Sequence, residues 1–346
     1  MHERTGIDGD PYAIRFHLRL PADWNGRFFF EGGGGSDGNT GAALGMISFR
    51  SPPTLAQGYA VASDDSGHNN EVNNNPSVGG TSSFGRDPQA RADYGHAALK
   101  ATYDAAREII GRFYGKAPVH TYYAGCSKGG QEGLAFDERY PNSFDGLLIG
   151  SPGMSLPRAS LGHPWSAQVF AAVVCGGKEK RITAEMLAKS FSPADLGLAR
   201  RAVLAACDGD DGLKDGIVGA LAQCTTEKVA PEFRKIQCKG VKTAECLTQA
   251  QVAALEKFYG GPKNSKGEAL YVNFPWDGGM AGAGWRGWTI GTPKNSAANG
   301  FSGSVGAPVS VTMGAGALSE VFSTPPQILK PGEQPALDYL LGFDFD

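Results

Sequence analysis

The chain has 346 residues with 32 basic and 35 acidic side chains, a formal charge of −3, so it offers no electrostatic reason to bind nucleic acid or an anionic membrane surface. Its 41% hydrophobic content is ordinary for a globular protein, and no apolar run approaches the length that crosses a bilayer. Fifty glycines against 19% charged residues point to many tight turns and loops.

Residues 12–20 alternate apolar and polar side chains as a half-buried strand does, and 27–31 read as a buried strand running into Gly32-Gly33-Gly34-Gly35. Residues 58–63 read as another strand, ending in the polar loop 64–68. Residues 91–114 carry Ala98, Leu99, Tyr103, Ala106, Ile109, Ile110 and Phe113 at helical spacing and stop at Gly115. A strand at 119–124, a serine turn, a helix at about 131–140 halted by Pro141, and a strand at 146–149 follow. That succession is the central run of a parallel α/β sheet. From Ser151 onward Pro, Gly and Ser increase, and only 193–206 and 248–259 read as clear helices. The expectation is a second, loop-rich domain at 154–330.

The serine turn is Gly125-Cys126-Ser127-Lys128-Gly129-Gly130. In so glycine-rich a chain the Gly-x-Ser-x-Gly pattern alone is weak, but its place between a strand and a helix is that of a nucleophile elbow. The residue after the nucleophile then donates its backbone N–H to the oxyanion, which assigns that role to Lys128. The second donor is expected from the glycine-rich loop 32–38, where backbone can approach a substrate without a Cβ in the way, with Gly35 and Gly38 as candidates.

Four of the six cysteines, Cys207, Cys224, Cys238 and Cys246, fall in one polar stretch. No C-x₂₋₄-C pair occurs among them, so local disulfides fit better than zinc and imply an oxidising compartment, although Met1-His2-Glu3-Arg4 opens no signal peptide. Between the first two, Asp208, Asp211 and Asp215 are interrupted by glycines and form a compact set of hard oxygen ligands that suits Ca²⁺, with the carbonyls of Leu213 and Ile217 completing the shell. It is not an EF-hand, because Gly219 stands where the twelfth-position glutamate belongs.

Together these stretches resemble the tannase and feruloyl esterase family, which includes the mono(2-hydroxyethyl) terephthalate hydrolases. The resemblance is carried by residues 113–134 around the serine, Arg139-Tyr140-Pro141, residues 144–152 and Leu20-Pro21-Ala22-Asp23-Trp24. The 64–68 loop, the acidic loop, Cys246 to Gln251 and Tyr259-Gly260-Gly261-Pro262 extend it. It implies an α/β-hydrolase core, incomplete at its C-terminal end, with residues 1–153 as its N-terminal part, a loop-rich lid at 154–330, and 331–346 beginning the return to the core. It implies Ser127 as the catalytic serine and Asp208, Asp211, Leu213, Asp215 and Ile217 as a structural calcium site. Lid disulfides Cys207–Cys224 and Cys238–Cys246 follow from it too. The expected partner is a small-molecule ester of an aromatic acid, and the expected location secreted or periplasmic. Trp276, Trp285 and Trp288 are candidates to shape an acid pocket, or simply to pack.

In that family the triad Asp and His follow the lid, and the His precedes a Cys that bridges to the Cys before the serine. The sequence given reaches Asp346 without those motifs, so this chain alone is expected to be inactive, with Cys126 lacking its usual partner. Chain order leaves only His163 as a regular base, and it reads as a loop residue. The competing expectation is a catalytically inactive, calcium-stabilised binding protein.

Overall fold

Three phenylalanines in a row, Phe28-Phe29-Phe30, are all buried because their strand is covered on both faces at the centre of the sheet. The computed structural model describes residues 3–48, 50–175, 181–293 and 306–346. Its contacts divide the chain into two units, Met1–Leu156 with Ser319–Ile328, and Pro157–Leu318 with Leu329–Asp346.

The first unit holds β1 (Phe16–Arg19), β2 (Arg27–Glu31), β3 (Ala60–Asp64), β4 (His120–Cys126) and β5 (Gly146–Gly150) in the order β1-β3-β2-β4-β5. All pairings are parallel except β1 with β3. Phe28 and Phe30 share one face with Ala60, Ala62 and Tyr123, and α1 (Ala98–Tyr114) lays Leu99, Tyr103, Ala106 and Ile110 on it. The second helix on that face, α2 (Lys128–Arg139), adds Ala135 and Phe136. Phe29, Val61 and Ala124 point to the opposite face, as the two-residue period of a strand requires.

Two sequence expectations change here. The strand expected at 12–20 is broken, because Asp65 takes the Arg15 N–H with its Oδ1 at 3.0 Å, leaving Pro11–Tyr12 to pair with Arg4–Thr5. The long helix expected from 91 is interrupted: Pro88–Ala92 leads into a wide turn at Asp93–Ala97, and only then does α1 begin.

The second unit is rich in helices rather than loops. Among its helices are α3 (Gly162–Cys175), α4 (Pro193–Cys207), α5 (Thr226–Ile236), α6 (Gln249–Tyr259) and α7 (Glu333–Leu341). Periodicity misses α3 because it is apolar on nearly every side, the mark of a buried helix, and misses α5 because Pro231 stands inside it. Helices α4 and α6 carry capping boxes, Ser192 with Asp195 and Thr248 with Gln251. The cysteines pair as Cys207–Cys224 and Cys238–Cys246. The stretch expected to re-enter the hydrolase part at 331 behaves differently: α7 buries Leu337 and Leu340 in the second unit's core, and 319–328 is the segment grouped with the first.

Within that segment Glu320 is fully buried, with no hydrogen-bond partner for either carboxylate oxygen among the described residues. Burial pushes its pKa up to about 7, against the pull of Arg86. A raised folded-state value means that stability declines as pH rises from the ordinary carboxylate range through about 7. Glu320→Gln should therefore melt close to the parent protein at pH 4 and above it at pH 8, as read by differential scanning calorimetry.

Candidate active site

Glycine backbones packed against one another make the turn that presents Ser127. At the end of β4 Ser127 takes φ 62° and ψ −114°, and α2 starts at Lys128. Positive φ on a residue with a Cβ costs roughly 1–3 kcal/mol, so the surroundings must impose it. Ser127 donates its N–H to the Gly150 carbonyl, and its own carbonyl accepts from Gln131 and Gly153, all at 3.1 Å. A Cβ on Gly125 would lie 2.5 Å from the Gly129 carbonyl oxygen, and one on Gly130 would lie 2.5 Å from that of Gly150. These glycines are therefore demanded by close approach. Ser127 is exposed, as is the free thiol of Cys126; the other free thiol, Cys175, is half-buried. A hollow of about 380 Å³ lies beside the turn, lined by Glu31, Gly32, Gly33, Ile47, Gly125 and Cys126.

Lys128 occupies the first helical position, where the backbone N–H has no intrahelical acceptor. The glycine loop comes close: a Cβ on Gly129 would meet the Gly33 carbonyl oxygen at 2.7 Å. Within that loop the Gly38 N–H is already donated to the Asp65 carbonyl at 3.0 Å, which removes Gly38 as an oxyanion donor. Gly35 keeps an unpartnered N–H among the described residues, and so does its neighbour Gly34; both are exposed, with open space about their α-carbons.

Sequence reasoning missed the side chains beneath the turn. Lys128 turns inward and is buried, with Nζ 2.9 Å from Glu132 Oε1, 3.9 Å from Asp37 Oδ1 and 4.3 Å from the centre of the Tyr94 ring. Burial alone would lower the Lys128 pKa, but the charges of Glu132 and Asp37 raise it above its ordinary value. Burial likewise works against ionised Glu132, yet the charge of Lys128 and its hydrogen bond bring it below the usual range. Asp37 goes the other way, raised well above by burial and by the charge of Glu132. The Tyr123 hydroxyl donates to the Gly129 carbonyl at 2.5 Å and lies 3.2 Å from Glu132 Oε2. The i, i+4 spacing of Lys128 and Glu132 on a helix was the available signal.

None of the described histidines is hydrogen-bonded to Ser127. His17 is bound to the Gly41 carbonyl at 2.7 Å, and His96 faces Asp93 and Arg139, toward the far end of α2. His120 begins β4, about 20 Å of strand away from the turn. His68 is buried and stacked on Phe84 at 3.8 Å, and burial lowers its pKa to about 4. His163, read from sequence as a loop residue, is the second residue of α3, and burial lowers it to about 4 as well.

The acidic loop closes on itself. Asp208 Oδ1 accepts the Gly216 N–H at 2.8 Å, Asp211 accepts those of Leu213 and Gly219 at 2.9 and 3.0 Å, and Asp215 accepts that of Ile217 at 3.0 Å. The donor chemistry fits a hard cation. As they stand, however, no three His, Cys, Asp or Glu side chains among the described residues gather closely enough to hold one. Trp276 is buried, stacked on Tyr259 at 4.1 Å and donating to Thr226 Oγ1, which is a packing role.

Comparison with known proteins matches residues 3–311 to a family described as tannase and feruloyl esterase. The mono(2-hydroxyethyl) terephthalate hydrolase of Piscinibacter sakaiensis is 40% identical over 99% of this chain and 58% of its own length. A probable feruloyl esterase of Arthroderma benhamiae is 30% identical over 77% of this chain and 45% of its own. Among solved structures an esterase from Aspergillus oryzae superposes with a TM-score of 0.66 at 22% identity, over 98% of this chain and 57% of that one. The tannin acyl hydrolase of Aspergillus niger gives 0.58 at 20% identity, over 97% of this chain and 57% of its own. The fold is thus of the α/β-hydrolase type, and the chain spans about half the length of the relatives it matches.

The strained turn makes its own test. Relief of about 1–3 kcal/mol of strain exceeds the roughly 0.4–1 kcal/mol of added chain entropy, so Ser127→Gly should raise the melting temperature and Ser127→Ala should not.

Proposed function

The chain belongs to the tannase and feruloyl esterase family, and on that premise we propose that it carries the nucleophile of a carboxylic-ester hydrolase acting on esters of aromatic acids of galloyl, feruloyl or terephthaloyl type. The observation that carries this reading is Ser127 at positive φ between a parallel strand and a helix. Its Oγ would attack the ester carbonyl, and the C=O bond would open to an oxyanion held by the Lys128 N–H and an amide of Gly34 or Gly35. Collapse would expel the alcohol and leave an acyl-enzyme for water to cleave. The serine proton needs a base, and no described histidine makes a hydrogen bond with Ser127. That observation favours a second reading, in which the chain binds aromatic esters without turning them over.

The two readings separate on one measurement. The chain alone is not expected to turn esters over, but p-nitrophenyl ferulate, whose p-nitrophenolate leaves without a proton, should add one feruloyl mass to the peptide containing Ser127, and Ser127→Ala should abolish it. Binding of methyl ferulate without any adduct would leave the binding-protein reading.

We further propose Ca²⁺ at Asp208, Asp211 and Asp215 with the carbonyls of Leu213 and Ile217, supported by the hard oxygen donors and by Cys207–Cys224, which pins the loop's ends. The cation would stiffen the loop and take no part in the chemistry. Chelation should lower the melting temperature markedly, and an unchanged melt would remove calcium from the account. The two disulfides support a secreted or periplasmic location.

A further inference from the structure

The glycine loop is fastened at two points, and both fastenings run to the same pair of side chains on α2. At its near end the Gly33 N–H donates to Glu132 Oε2 at 3.1 Å. At its far end the buried Asp37 carboxyl faces Lys128, with Oδ1 3.9 Å from Nζ. Between the two points the chain makes a tight turn, closed by the Asp37 N–H on the Gly34 carbonyl at 3.0 Å, with Gly35 at φ 64° and Asp37 at φ 52°. A Cβ on Gly33 would run into the Asp37 carboxylate, so the turn is folded tightly over its own anchor. Asp37, Lys128 and Glu132 below the turn are buried, whereas Gly34 and Gly35 are exposed and keep their amides unpartnered among the described residues.

A solvated i, i+4 Lys–Glu pair contributes little to stability. This pair is buried, where desolvation is costly unless every remaining lone pair and proton is used. Here Glu132 Oε2 takes the Gly33 N–H of the loop as well as the Tyr123 hydroxyl, and Tyr94 lies under the Lys128 ammonium. Lys128 and Glu132 sit one and five residues after Ser127, so whatever holds the loop to them sets its position relative to the nucleophile.

We propose that Glu132, fixed by Lys128, is a positioning residue for the oxyanion site: it holds the glycine loop in register with the Ser127 turn, so that the loop's free amides stand where the oxyanion forms. This rests on the reading of Ser127 as nucleophile. Glu132 need not touch substrate; it acts through the loop.

The test has two arms. In the first, hydrogen exchange at the Gly33 and Asp37 amides is followed by NMR in the parent chain, Glu132→Ala and Glu132→Gln. Alanine should speed exchange at both amides about tenfold or more, while glutamine, whose carbonyl can still accept the Gly33 N–H, should remain near the parent at Gly33. In the second, Ser127 acylation by p-nitrophenyl ferulate is measured against ester concentration. Alanine should lower the saturating rate about a hundredfold, the loss typical of one misplaced oxyanion donor, with the half-saturation concentration little changed, and glutamine should recover most of it. Unchanged exchange in Glu132→Ala, or a loss confined to half-saturation, overturns the proposal. Should the alanine variant not fold, the neutral pair Lys128→Met with Glu132→Gln takes its place, and parent-like exchange at Asp37 there overturns it equally. A parent chain that never acylates counts against Ser127 as nucleophile, while the exchange arm still judges the anchors.

Discussion

The packing of backbone on backbone around Ser127 is the constraint on which the rest depends. A Cβ at Gly125, Gly129 or Gly130 would stand 2.5–2.7 Å from a carbonyl oxygen of a neighbouring segment, so strand, turn, helix and glycine loop converge where side chains are excluded. That closeness holds a serine at φ 62° and leaves it exposed at the C-terminal edge of a parallel sheet, the usual place for a site in such folds.

Such convergence leaves polar groups buried under the turn, and the first unit handles them with one ionic cluster. Lys128 and Glu132 neutralise each other, Tyr94 lies under the ammonium, and Asp37 approaches Lys128, its pKa pushed up by burial and by the charge of Glu132. A solvated pair would add little stability, whereas a buried one that also accepts a loop N–H ties that loop to the helix. The second unit is stabilised by other means: an apolar helical core, two capping boxes and two disulfides.

Legibility in the sequence followed the range of the interactions. The strand Arg27–Glu31 and the helices Pro193–Cys207 and Gln249–Tyr259 were readable because composition, caps and period agree within a few residues. Gly162–Cys175 was not, because an all-apolar helix has no periodic stripe, and the start of α2 was misplaced because Gly129 and Gly130 look like helix breakers until their contacts are seen. Gly38 looked as good an oxyanion donor as Gly35, since a glycine run does not tell which amides are already taken.

By itself the sequence determined the α/β class, the serine turn at Ser127, the acidic loop at Asp208 to Ile217 and, through its motifs, the family, because these rest on local spacing and on residue types that few folds place together. Only the tertiary structure decided that Lys128 turns inward, that Glu132 and Asp37 meet it, that Gly38 is occupied while Gly34 and Gly35 are open, and that α7 belongs to the second unit's core. Those are contacts between segments up to a hundred residues or more apart, set by which surfaces must be buried together, and local spacing carries no record of them.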